Sequence, residues 1–374
     1  MLAQARNQLK QAALPETVGR YVQAIRWLQR AERLLDGEGS VEAGRLRAQI
    51  YAWRGAVRNF QGRFRDGIVS CLRAIEEAER SGERRALAHA YYILDWAYVA
   101  LGSPDQATYS PRALEIYEEL GDLPRQADVL NNLGAFAYLE GRWNDALDSY
   151  ERGRELRERI GDPVHAANGT LNIAEIFTDQ GRLEEAERLA RDALRVWRAA
   201  GATYSVGFAT RQLGRVAARS GRHQEALEQL EQARTLFLEA GAPSDVNETD
   251  AARAECLVLS GRPAEALELV APSIGRAEKT GGFELPQLKR VQAYALLQLG
   301  DLDKARAAFE ESLDVARLRG ADYEAALGLA GLAHLRRLSG EDVGDLDRER
   351  ESILENLGVM EVLAVPRLTA AARP

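Results

Sequence analysis

Glycine recurs along this chain at one fixed interval, and that regularity restricts the possible folds more than any other feature. One series repeats every 39 or 40 residues and consists of Gly62, Gly102, Gly141, Gly181, Gly221, Gly261, Gly300 and Gly340. A second series has the same interval and consists of Gly82, Gly121, Gly161, Gly201, Gly241, Gly281 and Gly320. Because glycine readily adopts the positive φ that closes a helix, the two interleaved series predict two helices in every repeat.

The residues around one turn glycine indicate what kind of helix pair this is. Leu133 and Gly134 precede Gly141, and Ala146 and Tyr150 follow it. We expect Gly134 and Ala146 to be small because the two antiparallel helices approach closely there. The spacing resembles the tetratricopeptide repeat, whose usual period is 34 residues, so each unit would carry about one and a half additional helical turns. The prediction is an all-α chain, a right-handed tetratricopeptide-type α-solenoid superhelix of about nine helix pairs.

The regularity of the pattern suggests how the chain is divided. Residues 1–40 predict an N-terminal helical hairpin or cap, and residues 41–320 predict regular repeats. The pattern decays over residues 321–358, which indicates a capping repeat with one face toward water. Residues 359–374 are predicted to form an extended tail.

The third repeat departs from the pattern at two positions. Asp95 stands where the other repeats have a small residue, and Pro111 falls inside a predicted helix, which it should kink or delay. A carboxylate at a close-packed position needs a partner. Both a structural hydrogen bond or arginine pair and a role in ligand binding remain open for Asp95.

The charge of the chain argues against a nucleic-acid partner. Lys and Arg total 49 and Asp and Glu total 57, a net charge of −8, whereas nucleic-acid-binding surfaces are normally basic. No run of 18 apolar residues and no signal-peptide core in the first 20 residues can be found. The sequence therefore predicts a cytoplasmic protein without a membrane segment.

No stretch of the sequence predicts catalysis. The phosphate-binding loop, the dinucleotide-binding glycine motif, the zinc-protease motif and the hydrolase nucleophile motif are all missing. The four histidines fall in four different repeats, and Cys71 and Cys256 lie more than four repeats apart, so we expect neither a metal cluster nor a disulfide. The chain is predicted to be no enzyme and to use no cofactor.

The inner face of the predicted superhelix supplies the candidate binding residues, because the first helix of each repeat lines a concave groove. The candidates are Tyr92, Trp96, Asn131, Asn132, Tyr138, Asn168, Asn172, Glu175, Arg211, Gln212, Arg215 and Arg290. Amides offer a donor and an acceptor to a peptide backbone, two arginines one turn apart suit a carboxylate or phosphate, and aromatic rings offer an anchoring surface. The alternative is structural: amides that bridge neighbouring helices and aromatic rings that pack between repeats.

Several stretches also resemble one particular family, the C-terminal tetratricopeptide region of actinobacterial class III adenylate/guanylate cyclase–ATPase fusion proteins. The matching stretches are Leu94–Tyr98, Ala113–Asp122, Leu130–Tyr138, Asp179–Leu183, Ala193–Gly201, Ala254–Leu257 and Ile353–Val359. The resemblance covers about residues 20–366, and similar repeats occur in large ATPase-linked bacterial transcription regulators. Neither the cyclase nor the ATPase domain is present in this chain. The resemblance therefore implies a sensor or scaffold arm that regulates an enzymatic domain.

These observations predict a non-catalytic regulatory module that binds a protein or peptide in its groove. One alternative is a small-molecule sensor of a transcription regulator, in which Arg211, Arg215 and Glu175 enclose an anion. Another is self-assembly through the end repeats, although we favour a monomer.

Overall fold

The computed structural model describes residues 1–12, 21–363 and 366. Within these residues the chain forms eighteen α-helices and no strand. The helices divide into two compact units, unit 1 (Met1–Phe136) and unit 2 (Ala137–Pro374). The prediction of an all-α solenoid with about nine helix pairs is confirmed.

Unit 1 contains the first helices of the chain, and a short 3-10 turn at Pro104–Gln106 precedes α6. The helices are α1 (Leu2–Ala12), α2 (Tyr21–Arg33), α3 (Val41–Phe60), α4 (Phe64–Ser81), α5 (Arg84–Ala100), α6 (Ser110–Glu119) and α7 (Leu123–Leu139), the last of which belongs to unit 1 as far as Phe136.

Unit 2 contains the other helices of the described chain. They are α8 (Trp143–Arg159), α9 (Pro163–Asp179), α10 (Leu183–Ala199), α11 (Thr203–Arg219), α12 (His223–Glu239), α13 (Pro243–Leu259), α14 (Pro263–Thr280), α15 (Leu285–Gln298), α16 (Leu302–Leu318), α17 (Asp322–Leu338) and α18 (Gly344–Asn356).

The glycine series ends the helices as the sequence predicts. Every glycine of both series has a positive φ, between 62° and 82°, and no other residue type in the described chain does. Seven residues before the turn glycine, glycine also permits close packing: a Cβ on Gly214 would lie 2.6 Å from Leu230 Cγ, and a Cβ on Gly55 would lie 2.5 Å from Cys71 Sγ. The period is therefore set by helix ends and by close helix–helix approach.

The third repeat accommodates Asp95 at that same close-approach position by shortening its second helix. α6 begins only at Ser110, with Pro111 in its first turn, and has 10 residues where most second helices have 17 or 18. Proline is tolerated in a first turn because the N–H groups there have no partner within the helix. The delayed start, one of the two expected effects of Pro111, is what the structure shows.

The first helices of successive repeats pack against one another and form an inner layer. In unit 2 this layer consists of α9, α11, α13, α15 and α17, each in contact with the next. In unit 1, α3 and α5 pack in the same manner. Large apolar side chains such as Trp197, Phe237 and Phe309 fill the spaces between helices and are fully buried. The predicted core residues Cys71 and Cys256 are buried as well.

In the C-terminal repeat, which the sequence predicts to be a cap, α18 has one buried residue, Leu354, whereas α17 is mostly buried. α17 is buried along nearly its whole length, from Tyr323 to Leu335, so this helix has no broad face toward water. The reason is that unit 2 returns on itself: the ring of Trp143 at the start of α8 lies 5.4 Å from the ring of Tyr323. Of the predicted tail, residues 359–363 continue from α18 to the end of α9; residues 364–365 and 367–374 lie outside the described chain, as do residues 13–20 of the predicted N-terminal hairpin.

None of the described helices has the length and apolar character needed to cross a membrane.

Candidate functional site

The inner surface of unit 1 is aromatic. The rings of Trp53 and His89 meet edge to face at 4.8 Å, and the guanidinium of Arg125 lies 5.9 Å from the centre of the Trp53 ring. Trp96 stacks on Phe136 at 6.4 Å and remains 37% exposed. Burial, with a smaller contribution from Arg125, lowers the pKa of His89 to about 3, so this imidazole is neutral at physiological pH.

Asp95 has a structural partner. Its carboxylate is fully buried and accepts hydrogen bonds from the backbone N–H of Tyr109, at 2.9 Å, and of Ser110 at the start of α6. Burial raises the pKa of this carboxyl group despite those bonds. Asp95 therefore acts as a cap for the N-terminus of α6, although it belongs to α5. The structural interpretation of this residue is the correct one.

Not all candidate residues of unit 1 face an open groove. Asn132 is buried, which corrects the expectation that it would be exposed. Asn131 and Tyr92 are half-buried, and both have interactions with other parts of the chain. Trp96 is the candidate here that remains most exposed.

The inner surface of unit 2 is charged, and its charges alternate from helix to helix. Between α9 and α11, Arg215 binds Glu175 at 2.6 Å and Asp179 at 2.9 Å, and Arg219 binds Asp179 at 2.8 Å. The hydroxyl of Tyr138 donates a further hydrogen bond to Asp179, at 2.7 Å. Asp179 thus has partners on both of its carboxylate oxygens.

The same alternation continues across the remaining first helices of unit 2. Arg211 on α11 binds Glu248 on α13 at 2.8 Å. Arg290 on α15 is fully buried and binds both Glu255 on α13 and Glu324 on α17 at 2.6 Å. We call the set Glu175, Asp179, Arg211, Arg215, Arg219, Glu248, Glu255, Arg290 and Glu324 the charge ladder.

Electrostatics keep the deepest carboxylates of the ladder ionised. Burial opposes ionisation of Asp179, but Arg215 and Arg219 outweigh it and hold the pKa of its carboxyl group below the usual value. Burial likewise opposes ionisation of Glu255, and Arg290 and Arg219 again lower its pKa. Buried charges of this kind are tolerated because each has an opposite charge and hydrogen bonds.

The ladder corrects three further expectations. Gln212 and Arg290 are buried rather than exposed to a groove. The amide of Gln212 donates to the Thr178 hydroxyl at 2.6 Å, so it bridges neighbouring helices. Arg211 and Arg215 are already bound to carboxylates, which removes the geometric basis for an anion clamp formed by those two side chains with Glu175.

Above the ladder, part of the inner surface stays accessible to solvent. We call this part the unit 2 rim; it consists of Asn168, Asn172 and Tyr204 together with three ladder residues that solvent still reaches, Glu175, Arg211 and Glu248. Asn168 is exposed and Tyr204 is 45% exposed, while the side chains of Glu175 and Glu248 are 38% and 35% exposed. Asn168, Asn172 and Glu175 follow one another along one face of α9, and Tyr204 and Arg211 lie two turns apart on α11.

Three ladder residues, Glu248, Glu255 and Glu324, were not predicted, and the sequence contained evidence for one of them, Glu255. Glu175, Arg215 and Glu255 each stand six residues before a turn glycine in three successive repeats. Equivalent positions of stacked repeats lie side by side, so the order acid, base, acid predicts cross-repeat ion pairs. For Glu324 no such alignment exists.

The comparisons with known proteins agree with this architecture. Models of the tetratricopeptide repeat match residues 126–165, residues 165–239, and residues 248–272 together with 286–311. The chain has a tetratricopeptide-repeat fold. A search of curated proteins gave no significant match.

Solved tetratricopeptide-like structures resemble the chain over nearly its whole length. A Rap protein complexed with competence and sporulation factor has a TM-score of 0.70 at 15% identity, covering 94% of this chain and 98% of that one. The apo form of RapI has a TM-score of 0.58 at 12% identity, with 96% and 99% covered. The Rap conjugation gene regulator of plasmid pLS20, in complex with the Phr* peptide, has a TM-score of 0.51 at 14% identity, with 95% and 93% covered. At these identities the likeness concerns the fold.

Proposed function

We propose that the chain is a non-catalytic regulatory module that binds a protein or peptide segment along the unit 2 rim. One observation carries the proposal: the amide, aromatic and charged side chains of the rim are accessible to solvent, and the charged ones already have ion-pair partners within the ladder. Since the ladder residues are held by their partners, the rim is preorganised, and a ligand that binds there loses less conformational entropy.

The rim suits an extended peptide better than a small anion. Asn168 is exposed on α9, and its amide carries a donor and an acceptor that can bind the backbone of a peptide whatever its side chains. Asn172 follows one helical turn later, is half-buried and has an interaction within the chain. Tyr204 adds an exposed aromatic ring. A small anion, in contrast, would have to compete with Glu175 and Asp179 for Arg215, and the buried Asp179 would lose one of its two arginine partners.

The structural relatives support a peptide ligand. The pLS20 regulator was solved with a peptide, and its fold extends over 95% of this chain. The sequence resemblance to cyclase–ATPase fusion proteins extends the proposal one step: occupancy of the rim would be passed on to an enzymatic domain of a signalling protein. A bound segment that contacts several repeats would favour one arrangement of the inner layer over others.

The test is capture, identification and direct binding. Immobilised wild-type chain, the Asn168→Ala/Asn172→Ala variant and an Asn144→Ala control are each incubated with lysate of the source organism. Asn144 is an exposed asparagine on α8, a second helix, and so lies outside the inner layer. The captured segment is then identified by mass spectrometry, synthesised, and its Kd measured with all three proteins.

We expect the wild type and the Asn144→Ala control to bind the segment equally, and the double variant to bind it at least 10-fold more weakly, about 1.4 kcal/mol. Equal affinity for all three proteins would show that the rim is not the binding surface.

A further inference from the structure

The segment that follows α18 binds to the end of α9 as an extended peptide would. Gly358, with φ +65°, ends the helix. The backbone N–H groups of Met360 and Glu361 then donate to the backbone carbonyl of Gln180, at 2.9 and 3.3 Å. The side-chain amide of Gln180 donates to the carbonyl of Leu357 at 3.0 Å. One residue thus binds the segment through both an acceptor and a donor.

Apolar contacts complete the attachment. Leu354 and Leu357 are buried in one cluster with Trp143 and Ile176, and Val359 and Leu363 pack against the same cluster. Leu354 is the buried residue of α18, and the rest of that helix is largely solvent-accessible. The connection between the C-terminal segment and the α8–α9 region is therefore narrow, a few side chains and three hydrogen bonds.

These contacts, like that of Trp143 with Tyr323, differ from the contacts between neighbouring repeats. In a repeat array each unit packs on its immediate neighbours, and stability is close to a sum of such local interfaces. Gln180 and Leu357 are 177 residues apart and belong to repeats that are not neighbours in sequence. The contact can therefore break without separating any repeat from the next one along the chain.

We infer that the turn after α9, at Gln180 and Gly181, is a docking site for an extended segment with aliphatic side chains. Residues 357–363 are its resident occupant and act as a latch that fastens α18 to the α8–α9 region, beside the contact of Trp143 with Tyr323. The latch opens and closes independently of local repeat packing. This inference goes beyond the proposed function, since it does not require the rim to bind any ligand.

Two glycines provide a matched test in the full chain. Gly181 and Gly221 stand at the same repeat position with φ of +82° and +76°, so alanine strains the backbone similarly at both. A Cβ on Gly181 would lie 2.6 Å from Glu361 Cβ and 2.7 Å from its carbonyl oxygen, whereas a Cβ on Gly221 has nothing within 4 Å. Alanine at Gly181 therefore obstructs the latch, and alanine at Gly221 does not.

Hydrogen exchange at Met360 and Glu361 measures the closed latch. We expect Gly181→Ala to reduce their amide protection at least 10-fold, while Gly221→Ala leaves it unchanged and both variants keep the protection of α14–α16. Gln180→Met, which removes the side-chain donor without changing the backbone, should reduce protection in the same direction and covers the case that Gly181→Ala fails to fold. The latch would be overturned if Met360 and Glu361 were protected equally in Gly181→Ala and in Gly221→Ala. Equal protection in Gln180→Met and in the wild type would overturn it as well.

A peptide added in trans tests the docking site itself. The probe is a labelled synthetic peptide of residues 353–363, with a scrambled peptide as control. Leu354→Asp/Leu357→Asp should release the chain's own segment and leave Gln180 and Gly181 intact, so this variant should bind the probe at least 10-fold more tightly than the wild type. Adding Gly181→Ala to it should abolish that gain. The docking site is refuted if the variant binds the probe no more tightly than the wild type does. It is also refuted if the variant binds the scrambled peptide as tightly as the probe.

Discussion

Trp96 in unit 1 and Glu175, Arg215 and Glu255 in unit 2 occupy one and the same position of the repeat, six residues before a turn glycine. Trp96 stacks on an aromatic neighbour and is partly exposed, whereas the three charged residues form ion pairs across helices. The same backbone position thus contributes to an aromatic surface in one unit and to a charge ladder in the other. The repeat fixes where a side chain points, and the residues on the adjacent repeats fix what it does there.

The two surfaces also differ in how their polar groups are satisfied. In unit 1 the buried histidine is kept neutral and Asp95 is bound to backbone N–H groups. In unit 2 the buried carboxylates are bound to arginines from adjacent helices. Neutral burial and paired burial respond differently to mutation, and they lose stability in different pH ranges as the pH falls. The following predictions use that difference.

The largest effect is expected from Arg290→Met. This change leaves Glu255 and Glu324 without their common counter-charge in a buried position, which should cost about 3–5 kcal/mol of unfolding free energy. Hydrogen exchange read peptide by peptide should show lost protection in unit 2 and unchanged protection in unit 1. The triple variant Glu255→Gln/Arg290→Met/Glu324→Gln should recover most of the loss, because no unpaired charge remains. Equal loss of amide protection in both units would show that the two units do not unfold separately.

The second effect is a loss of stability in unit 1 as the pH falls. The pKa of His89 is about 3 in the folded chain and about 6.5 when unfolded, so the unfolded chain takes up a proton first. Stability is complete above about pH 6.5 and decreases as the pH falls toward 3, by about 2 kcal/mol at pH 5.

The loss is measured by chemical denaturation at pH 7 and pH 5, monitored by hydrogen exchange of unit 1 amides. The variant His89→Gln should show no such loss of stability. In unit 2, burial and Arg337 lower the pKa of the half-buried His334, and burial raises the pKa of Glu248 to about 7. The loss assigned to His89 is therefore read from unit 1 alone. A pH dependence of unit 1 that persists in His89→Gln would contradict the assignment.

A smaller effect is expected from Asp95→Ala. The N–H groups of Tyr109 and Ser110 would lose their acceptor, at a cost of about 1–2 kcal/mol. The exchange of these two amides should accelerate, while the amides of α9 and α11 remain as protected as before. Asp95→Asn keeps one acceptor oxygen and should lie between the wild type and Asp95→Ala. If both variants match the wild type, Asp95 does not hold the start of α6.

The smallest effect should be the same in both units. Arg63 pairs with Asp66 in unit 1, and Arg262 pairs with Glu265 at 2.6 Å in unit 2, each at the start of a second helix and largely exposed. Because solvent screens such pairs, Arg63→Ala and Arg262→Ala should each leave the midpoint of chemical denaturation almost unchanged. A clearly lower midpoint for Arg262→Ala would mean that the charges of unit 2 are coupled beyond the buried ladder.

Much of the fold was predictable because it rests on local chemistry. The helix ends follow from glycine at positive φ, and the late start of α6 follows from Pro111. The candidate site was predicted less well. Glu175, Arg211 and Arg215 were placed on the inner surface, but their partners Asp179, Glu248 and Glu255 decide that they form ion pairs.

The sequence by itself determined the period, the helix pairs and the face on which each inner residue lies, because backbone conformation and helical periodicity act over a few residues. Only the tertiary structure decided that Asn132, Gln212 and Arg290 are buried and that Gln180 binds Leu357 and Met360. Burial depends on what packs against a residue. In unit 2 that includes a segment 177 residues away, whose return is set by small rotations accumulated over many repeats.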